Sequence, residues 1–557
     1  MDTDPQAIRF PYRRSTDQDA AVVPRRPVVV VGAGPVGLTA AIDLAQRGVP
    51  VVVLDEDDRL STGSRAICFA KRTLEIFDRL GCGQRMVDKG ISWNVGKVFF
   101  RNDLVYRFDL LPEAGHRRPA FINLQQYHLE AHLVDHAATL GGLEIRWRNR
   151  VAGLDARADG VELTVETPEG PYRLACDHLI ACDGARSTVR RLMGLESKGR
   201  SFRDRFLIAD VRMQANFPTE RWFWFDPPFH PGRSVLLHRQ PDDVWRVDFQ
   251  LGPDADPEEE KRPERVAPRI QALLGRDTAF TLEWVSVYSF VCMRMERFRH
   301  GRVVFAGDAA HGVSPFGARG ANSGVQDAEN LAWKLALVLA GQAPDALLDT
   351  YGGEREPAAD ENIRNSTRST DFITPKSEVS RLFRDATLAL AKDHAFARRL
   401  VNSGRLSTPA VLRDSPLNTP DEDVFAGAMV PGAPSTDAPV RTLGRDDWFL
   451  AQVGPGFTAV LFGDGGPLPP GTAAALGALS DGPLPVRPVL AVPPGGPVPA
   501  LPGLDVVEDA EGLLARRFDA RPGTTYLFRP DQHVCARWRW LDPARVRAAV
   551  ARATCNA

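Results

Sequence analysis

Two stretches of this chain hold residues whose types and spacing could do chemistry. The first is Gly307-Asp308-Ala309-Ala310-His311, followed by Pro315-Phe316-Gly317-Ala318-Arg319-Gly320-Ala321-Asn322. An acid that ends an apolar strand can accept hydrogen bonds from a polyol. Small residues let backbone approach a flat ring, and a helix N-terminus favours an anion. The second is Gly32-Ala33-Gly34-Pro35-Val36-Gly37, with Asp55 placed 18 residues beyond Gly37. Glycines there admit a pyrophosphate to the backbone, and a carboxylate at that distance accepts from ribose hydroxyls.

The elements that must position these residues are legible from hydrophobic pattern. Residues 27–31 are a β-branched apolar run, hence a buried strand; 38–46 read as a helix ended at Gly48, and 49–54 as a second buried strand. This β-α-β unit predicts nucleotide binding. Residues 303–306 form the strand that delivers Asp308, and a helix from about 322 to 340 keeps Val325, Ala328, Leu331, Leu335 and Val338 on one stripe, an amphipathic pattern. A polyol, a flat ring and an anionic edge occur side by side in a flavin, so the first stretch predicts a flavin site. Residues 174–182 read as another strand, running into Asp183-Gly184-Ala185-Arg186.

Residues 92–115 and 198–284 differ in texture. They alternate apolar and polar positions and carry many aromatics, which predicts an antiparallel sheet with one covered face. The nucleotide-binding unit is thus interrupted twice, falling into segments 27–91, 116–197 and 285–405. Residues 1–26 read as a flexible lead-in without the apolar stretch of a secretory signal. Residues 406–440, punctuated by Pro, Gly and Asp, read as a linker, and 441–557 as a smaller α/β unit. Within that unit 457–462 is a strand, 524–528 and 534–538 a hairpin, and 543–553 a helix, whereas the Pro- and Gly-rich 483–502 reads as mostly loop.

Composition narrows the classes. Hydrophobic residues make up 43% and charged residues 25%, ordinary for a globular chain of more than one domain. A net charge of -2 gives no reason to expect nucleic acid or an anionic membrane as partner. Seven cysteines without a C-x-x-C pair argue against a disulfide framework or structural zinc, so no metal and a cytoplasmic location are expected.

Three separated motifs in order, Gly32 to Gly37 with Asp55, Asp183-Gly184, and Gly307-Asp308, resemble those of the FAD-dependent aromatic hydroxylases, single-component flavoprotein monooxygenases. The resemblance covers about residues 27–400. It is nearest to the larger members similar to 3-(3-hydroxyphenyl)propionate hydroxylase and related phenol hydroxylases. The implied fold is α/β plus α+β: a Rossmann-like FAD-binding domain built from discontinuous segments, an antiparallel-sheet substrate-binding domain, and a C-terminal thioredoxin-like domain, here without the redox dithiol. Carried over by position, Gly32, Gly34 and Gly37 meet the FAD pyrophosphate and Asp55 the adenosine ribose. Arg65, in Ser64-Arg65-Ala66, lies near pyrophosphate and flavin, Gln126 on the ribityl chain, and Val151 against adenine through its backbone. Asp183 serves FAD and the nicotinamide together, with Arg186 and Arg190 attracting phosphates. Asp308 takes the ribityl hydroxyls, and Pro315, Gly317, Gly320, Ala321 and Asn322 form the loop over the flavin. Ala318 departs from the second glycine many members carry there. No second G-x-G-x-x-G is present, so NADH or NADPH would act as a transient reductant without a fold of its own.

The implied reaction is hydroxylation of a phenolic or other aromatic substrate with O2, through an oxygen adduct at flavin C4a. Small aromatic substrate and O2 are the expected partners, and a homodimer is compatible with the chain. Candidate catalytic residues are Arg246, His238 and Tyr288, on or near strands expected to face the substrate. Arg246 leads, because an apolar sheet needs a reason to hold a guanidinium: a substrate carboxylate, a phenolate or the flavin. Arg239 lies beside them. His311 reads as a satisfied histidine beside the flavin loop, Cys182 as a small buried hydrophobe, and Trp222, Trp224 and Phe225 as core. Oxygen insertion into a polyketide-like or antibiotic ring is an alternative, as is a non-catalytic flavin-fold binding protein. A flavin-dependent halogenase would need W-x-W-x-I-P, which Arg221-Trp222-Phe223-Trp224-Phe225 does not continue.

Overall fold

Valine-rich runs buried on both faces form the centre of the first unit. In the computed structural model, which describes residues 4–63, 65–214, 217–275, 278–401, 406–496 and 504–557, Arg25–Val31 pairs in parallel with Val51–Leu54 on one side and Gly170–Ala181 on the other. Leu143–Arg146 and Val303–Phe305 extend the parallel sheet outward. Numbered along the chain, the five strands lie in the order 3-2-1-4-5. The sheet therefore reverses its direction of growth between Val31 and Ala181, and in open α/β sheets a ligand crevice opens beyond the strand ends at such a reversal. Helices Pro35–Gln46 and Gly320–Leu339 pack against each other with no room to spare: a Cβ on Gly324 would lie 2.5 Å from Val36 Cγ2. Both helix starts are thereby held together at the crevice.

The second sheet has seven strands, in the order Thr281–Tyr288, Phe206–Arg212, Val244–Gln250, Ser234–Arg239, Arg221–Phe225, Val95–Phe100 and Asp103–Asp109. It runs to Tyr288, past the expected position 284. It is also not antiparallel throughout, because Arg221–Phe225 and Val95–Phe100 run parallel. Those two strands come from segments far apart in the chain, so no hairpin fixes their relative direction. Ser197–Ser201 lies outside this sheet and pairs instead with Val291–Met295. One face is the expected apolar core: Leu207, Ala209, Val235, Leu237, Trp245, Val247 and Phe249 pack with Val266 and Ile270 of helix Pro263–Leu274. Trp222 and Trp224 join that aromatic face, while Phe225 packs on the opposite one against Phe372.

A third sheet follows, ordered Arg445–Trp448, Pro439–Thr442, Asp505–Asp509, Val486–Val492, Phe457–Phe462, Thr525–Phe528 and Val534–Trp538. Val486–Val492 lies in the stretch expected to be loop, yet it is a central strand. Its apolar residues outweigh Pro488, which precedes the ladder with Asp505–Asp509, beginning at Val489. Residues 497–502 of that stretch lie outside the described residues, as do 1–3, 215–216, 276–277 and 402–405 of the other expected segments. The 4–26 segment lies against the first unit. Phe10 stacks on Trp147 at 4.2 Å, and buried Asp17 pairs with Arg146 at 2.7 Å. Among the described residues no helix is long and apolar enough to cross a membrane.

Helix Gly320–Leu339 departs most from expectation. Its apolar stripe is buried, but so is the polar side, where Asp327, Glu329, Asn330 and Lys334 are all within 2% of full burial. The sequence pattern of a surface helix belongs here to a central one, because every one of those polar groups has a partner. Lys334 Nζ and Asn330 Nδ2 each donate to Glu354 Oε2 at 2.7 Å. Arg529, from the third sheet's side, binds Glu354 at 2.5 Å and Asp531 at 2.5 Å. Trp333 Nε1 donates to Asp531 Oδ2 at 3.1 Å, and Arg72 links Glu329 to the Asp531 carbonyl. This seam joins the C-terminal unit to the rest.

Candidate active site

Gly32 can be only glycine. It has φ +104°, and a Cβ would sit 2.5 Å from the Cys182 carbonyl oxygen, where the first and fourth strands end side by side. A Cβ on Gly37 would strike the Gly32 oxygen at 1.9 Å. Gly34, which begins the Pro35–Gln46 helix, has nothing within 4 Å of such an atom, so its backbone is open. Asp55 binds the same turn: Oδ2 accepts from Ala33 N at 2.6 Å and Oδ1 from Asp57 N at 2.9 Å. Burial pushes its carboxyl up to about 6, against these donors. Each oxygen keeps a lone pair for a hydroxyl. Asn149 N donates to the Asp55 carbonyl at 2.7 Å, which sets the entry to strand Arg150–Ala156; Val151 is buried there.

The other end of the crevice is built from the 183 and 308 loops. Asp183 Oδ2 accepts from Val189 N at 3.0 Å, while Oδ1 is buried without a hydrogen-bond partner and burial raises the carboxyl's pKa. Arg190 ties the loops together, donating to the Ala309 carbonyl at 2.7 Å and to the Ala185 carbonyl at 2.6 Å; Arg186 is exposed. Asp308 is open to solvent, yet burial raises its pKa, with His311 opposing and Asp327 adding to the rise. A carboxylate that lines a deep cleft behaves this way, accessible to a small molecule but poorly hydrated. Its Oδ1 lies 3.8 Å from where a Gly320 Cβ would stand, at the start of the long helix.

Two residues that sequence reasoning missed hold this loop. Asp327 Oδ2 accepts from Gly307 N at 3.0 Å and pairs with His311 Nε2 at 2.7 Å, while Arg355 Nε donates to Oδ1 at 2.7 Å. Burial would raise Asp327, but His311 and Arg355 bring it down to about 2. His311, expected to be satisfied, is so only at Nε2, since its Nδ1 is buried without a hydrogen-bond partner. Asp327 sits on a helix face that reads as solvated, so pattern alone hides it. Asn322 is spent on structure: Oδ1 accepts from Ala70 N at 2.8 Å and Thr73 Oγ1 at 2.7 Å, and Nδ2 donates to the Cys68 and Ala318 carbonyls. Its side chain clamps the Pro315–Gly320 turn, whose Gly317 has φ +103° and Ala318 φ +53°. Gln126 is likewise engaged, accepting from Ala66 N at 3.1 Å and donating to Glu130 at 2.8 Å. Its neighbour Gln125 is 1% exposed with both amide atoms unpartnered. Arg65 is exposed, and Ser64 of its motif lies outside the described residues.

Strand alternation places the remaining candidates on the non-core face of the second sheet. His238 lies opposite Arg246, and Arg246 opposite Asp210; Arg221, one position beyond the Trp222 and Leu237 pair, is level with His238. This face abuts the first unit, since Arg246 Nη1 donates to the Arg65 carbonyl at 3.2 Å and Trp284 covers Gly63. Arg246 has an internal partner, Asp248, two residues along the same face at 2.7 Å. Burial disfavours the Arg246 charge, but Asp248 more than offsets that and its pKa is raised. Burial, then Arg221 and Arg246, keep His238 neutral, and its Nδ1 is unpartnered. The Tyr288 hydroxyl is also buried without a partner, beside Phe206 and Phe290, which contact Phe316 of the Pro315–Gly320 turn. Arg239 turns to the other face, over Trp245. A separate cavity of about 590 Å³, lined by Arg203, Arg233 and Lys376 among others, opens beyond Gln250, away from the glycine turn.

FAD fits these residues. The glycine turn is open at Gly34, the Asp308 carboxylate is accessible, and Asp183 Oδ1 is buried without a hydrogen-bond partner among the described residues, where an extended dinucleotide would run. Comparison with known proteins gives the same cofactor. A family model described as an FAD binding domain matches residues 25–366. A 12-dehydrotetracycline 5-monooxygenase/anhydrotetracycline 6-monooxygenase of Streptomyces rimosus is 33% identical over 63% of this chain and 70% of its own length. A probable NADH-specific resorcinol 4-hydroxylase of Rhodococcus jostii is 32% identical, covering 77% and 79%. A 3-(3-hydroxy-phenyl)propionate/3-hydroxycinnamic acid hydroxylase of Mycolicibacterium smegmatis is 29% identical over 91% and 89%. The solved structure of the flavin-dependent monooxygenase PieE, in complex with FAD and substrate, superposes with a TM-score of 0.79 at 24% identity, covering 96% of this chain and 99% of that one, a likeness of fold. With an FAD binding domain matched over residues 25–366 and these relatives named as monooxygenases or hydroxylases, the chain belongs to the FAD-dependent monooxygenases.

Proposed function

We propose that the enzyme hydroxylates a phenolic or other aromatic ring bound between the second sheet and the flavin. The observation that carries this is the line of buried polar side chains, Arg221, His238, Arg246 and Asp248, on a sheet face turned to the crevice. FAD, when bound, takes electrons from NADH or NADPH and uses them to activate dioxygen. The chain's own residues do the rest. Gly32, Gly34, Gly37 and the Pro35–Gln46 helix start would hold the pyrophosphate, Asp55 the ribose, and Val151 the adenine. Asp308 and Gln126 would hold the ribityl chain, and Asp183 and Arg65 the region nearer the ring. Backbone of Pro315, Gly317, Gly320, Ala321 and Asn322 would present N–H groups and the helix dipole to the flavin's anionic edge. His238, kept neutral, can exchange a proton with a ring hydroxyl. Arg246 stabilises developing negative charge, and Tyr288 orients the ring. Phe206, Phe290 and Phe316 exclude water.

In the same reading, segments 27–91, 116–197 and 285–405 make a Rossmann-like FAD-binding domain and 92–115 with 198–284 the substrate-binding domain. Residues 441–557 form a thioredoxin-like unit after a 406–440 connector. Four of its strands support this, with Val486–Val492 parallel to Phe457–Phe462 and the next two, out to the edge strand Val534–Trp538, antiparallel. Its cysteines, Cys535 and Cys555, lie far from the turn directly after Phe457–Phe462 in sequence and do not form a C-x-x-C pair, and all seven in the chain are unpaired, so its role is structural. A polycyclic, polyketide-like substrate is a second reading, favoured by the tetracycline-named relative. A screen of phenols, aromatic acids and polycyclic phenols for stimulated NAD(P)H consumption, with mass spectrometry, tests both. One added oxygen in a product is expected; NAD(P)H oxidation that no aromatic stimulates contradicts them.

A further inference from the structure

The cations on the crevice face of the second sheet are not equivalent. Arg246 has Asp248 as counter-ion and the Arg65 carbonyl as acceptor. Arg221, two strands away on the same face, has neither. It is 7% exposed, its Nε is buried without a hydrogen-bond partner, and among the described residues no carboxylate lies within ion-pair distance of it. The titratable groups around it do not compensate. Burial pushes the Cys68 thiol up to about 11, so it stays neutral; His238 stays neutral too; Asp248 is taken by Arg246. Burial accordingly disfavours the Arg221 charge. A guanidinium held at a buried site without a counter-ion destabilises a fold, and its five donors suit a planar anionic acceptor.

We propose that Arg221 is the anchor for an anionic oxygen group on the substrate, a carboxylate first, with His238 beside it completing the contact. This rests on the aromatic-hydroxylase reading and narrows it to aromatic acids. An ionised ring hydroxyl offers the same chemistry, and the test separates the two. Arg221 thus selects substrate, while Arg246, already neutralised by Asp248, lies nearer the reacting ring.

The FAD-loaded full chain is titrated with matched phenols that carry a carboxylate, the corresponding carboxamide, or neither. Binding is read from the change in flavin absorbance. The wild type is expected to bind the acid about 10- to 100-fold more tightly than the amide, as for a charge-assisted hydrogen bond. Arg221→Gln erases that preference and Arg221→Lys retains part of it. If the anion is an ionised hydroxyl, the unsubstituted phenol binds more tightly as pH rises through its own ionisation, and Arg221→Gln abolishes that rise. A second readout needs no ligand: Arg221→Met leaves the melting temperature unchanged or raises it, where a structural arginine would lower it. Acid and amide bound equally by the wild type with no rise in phenol affinity as pH increases, or either preference intact in Arg221→Gln, overturns the proposal. So does Arg221→Met melting well below wild type. Flavin content and phenol-stimulated NAD(P)H oxidation are measured alongside; they can stand while the acid preference fails, which separates this proposal from the reading beneath it.

Discussion

The seam along helix Gly320–Leu339 and the crevice near its start hold carboxylates of opposite character. Deep in the seam, Glu354 and Asp531 are surrounded by Arg529, Lys334, Asn330 and Trp333. Burial would raise both, but these partners hold them well below the ordinary range. Along the crevice, Asp55, Asp183 and Asp308 form no ion pair with an arginine or lysine among the described residues, and desolvation raises all three, His311 only partly opposing it at Asp308. One set of acids is finished by the protein itself. The other leaves acceptors for a ligand. A buried charge that is paired is scaffold, and one that is unpaired marks where binding occurs.

Breaking the seam should have the largest effect. Glu354→Gln removes one partner from a buried cluster and should cost about 3–5 kcal/mol of stability. Urea or thermal unfolding measures it, and a wild-type midpoint would make the seam incidental. Arg246 belongs to both regions, since it is paired and also faces the crevice. Arg246→Ala should lower stability by about 3 kcal/mol by stranding Asp248, and reduce hydroxylated product more than flavin content. Unchanged product per NAD(P)H would remove it from the site. Asp308→Ala should weaken FAD binding by about 10- to 150-fold, the worth of a hydrogen bond to a charged group, while the FAD-free protein melts within a few degrees of wild type. Fluorescence titration of stripped protein decides this, and undiminished affinity would move the ribityl site elsewhere. The smallest effect is Ala318→Gly. Left-handed strain at φ +53° is relieved, but glycine gains freedom when unfolded, so the net change is under about 1 kcal/mol.

The glycine turn, Asp55 and Asp308 could be read in sequence because strand-turn-helix geometry dictates local residue types. Gly32 shows why: the close approach of Cys182 leaves no space for a side chain. His238 and Arg246 were legible as polar interruptions of apolar strands. Arg221 was hidden at the edge of an aromatic run, and Asp248 because its meaning depends on Arg246 sharing its face. Asp327, Glu329, Asn330 and Lys334 read as a solvated helix face, since partners such as Glu354, Arg355 and Arg529 come from distant segments and leave no local pattern. Strand Val486–Val492 was obscured by Pro488, whose neighbours on the two sides begin at different residues.

The contrast between finished and unfinished carboxylates is tested most directly by pH. Asp55, near 6 in the fold against 3.8 ordinarily, contributes most stability to the FAD-free protein at low pH and loses it as pH rises through about 6. Asp327, near 2, contributes stability that is complete above 3.8 and lost only as pH falls towards 2. From pH 7.5 to 5.5 the scaffold should therefore hold while the crevice protonates. FAD affinity of the stripped protein, measured at both values with its melting temperature, should weaken by up to about fourfold through Asp55 alone, with no fall in melting temperature. Affinity that stays flat, or a melting temperature that drops in step with it, would contradict the account.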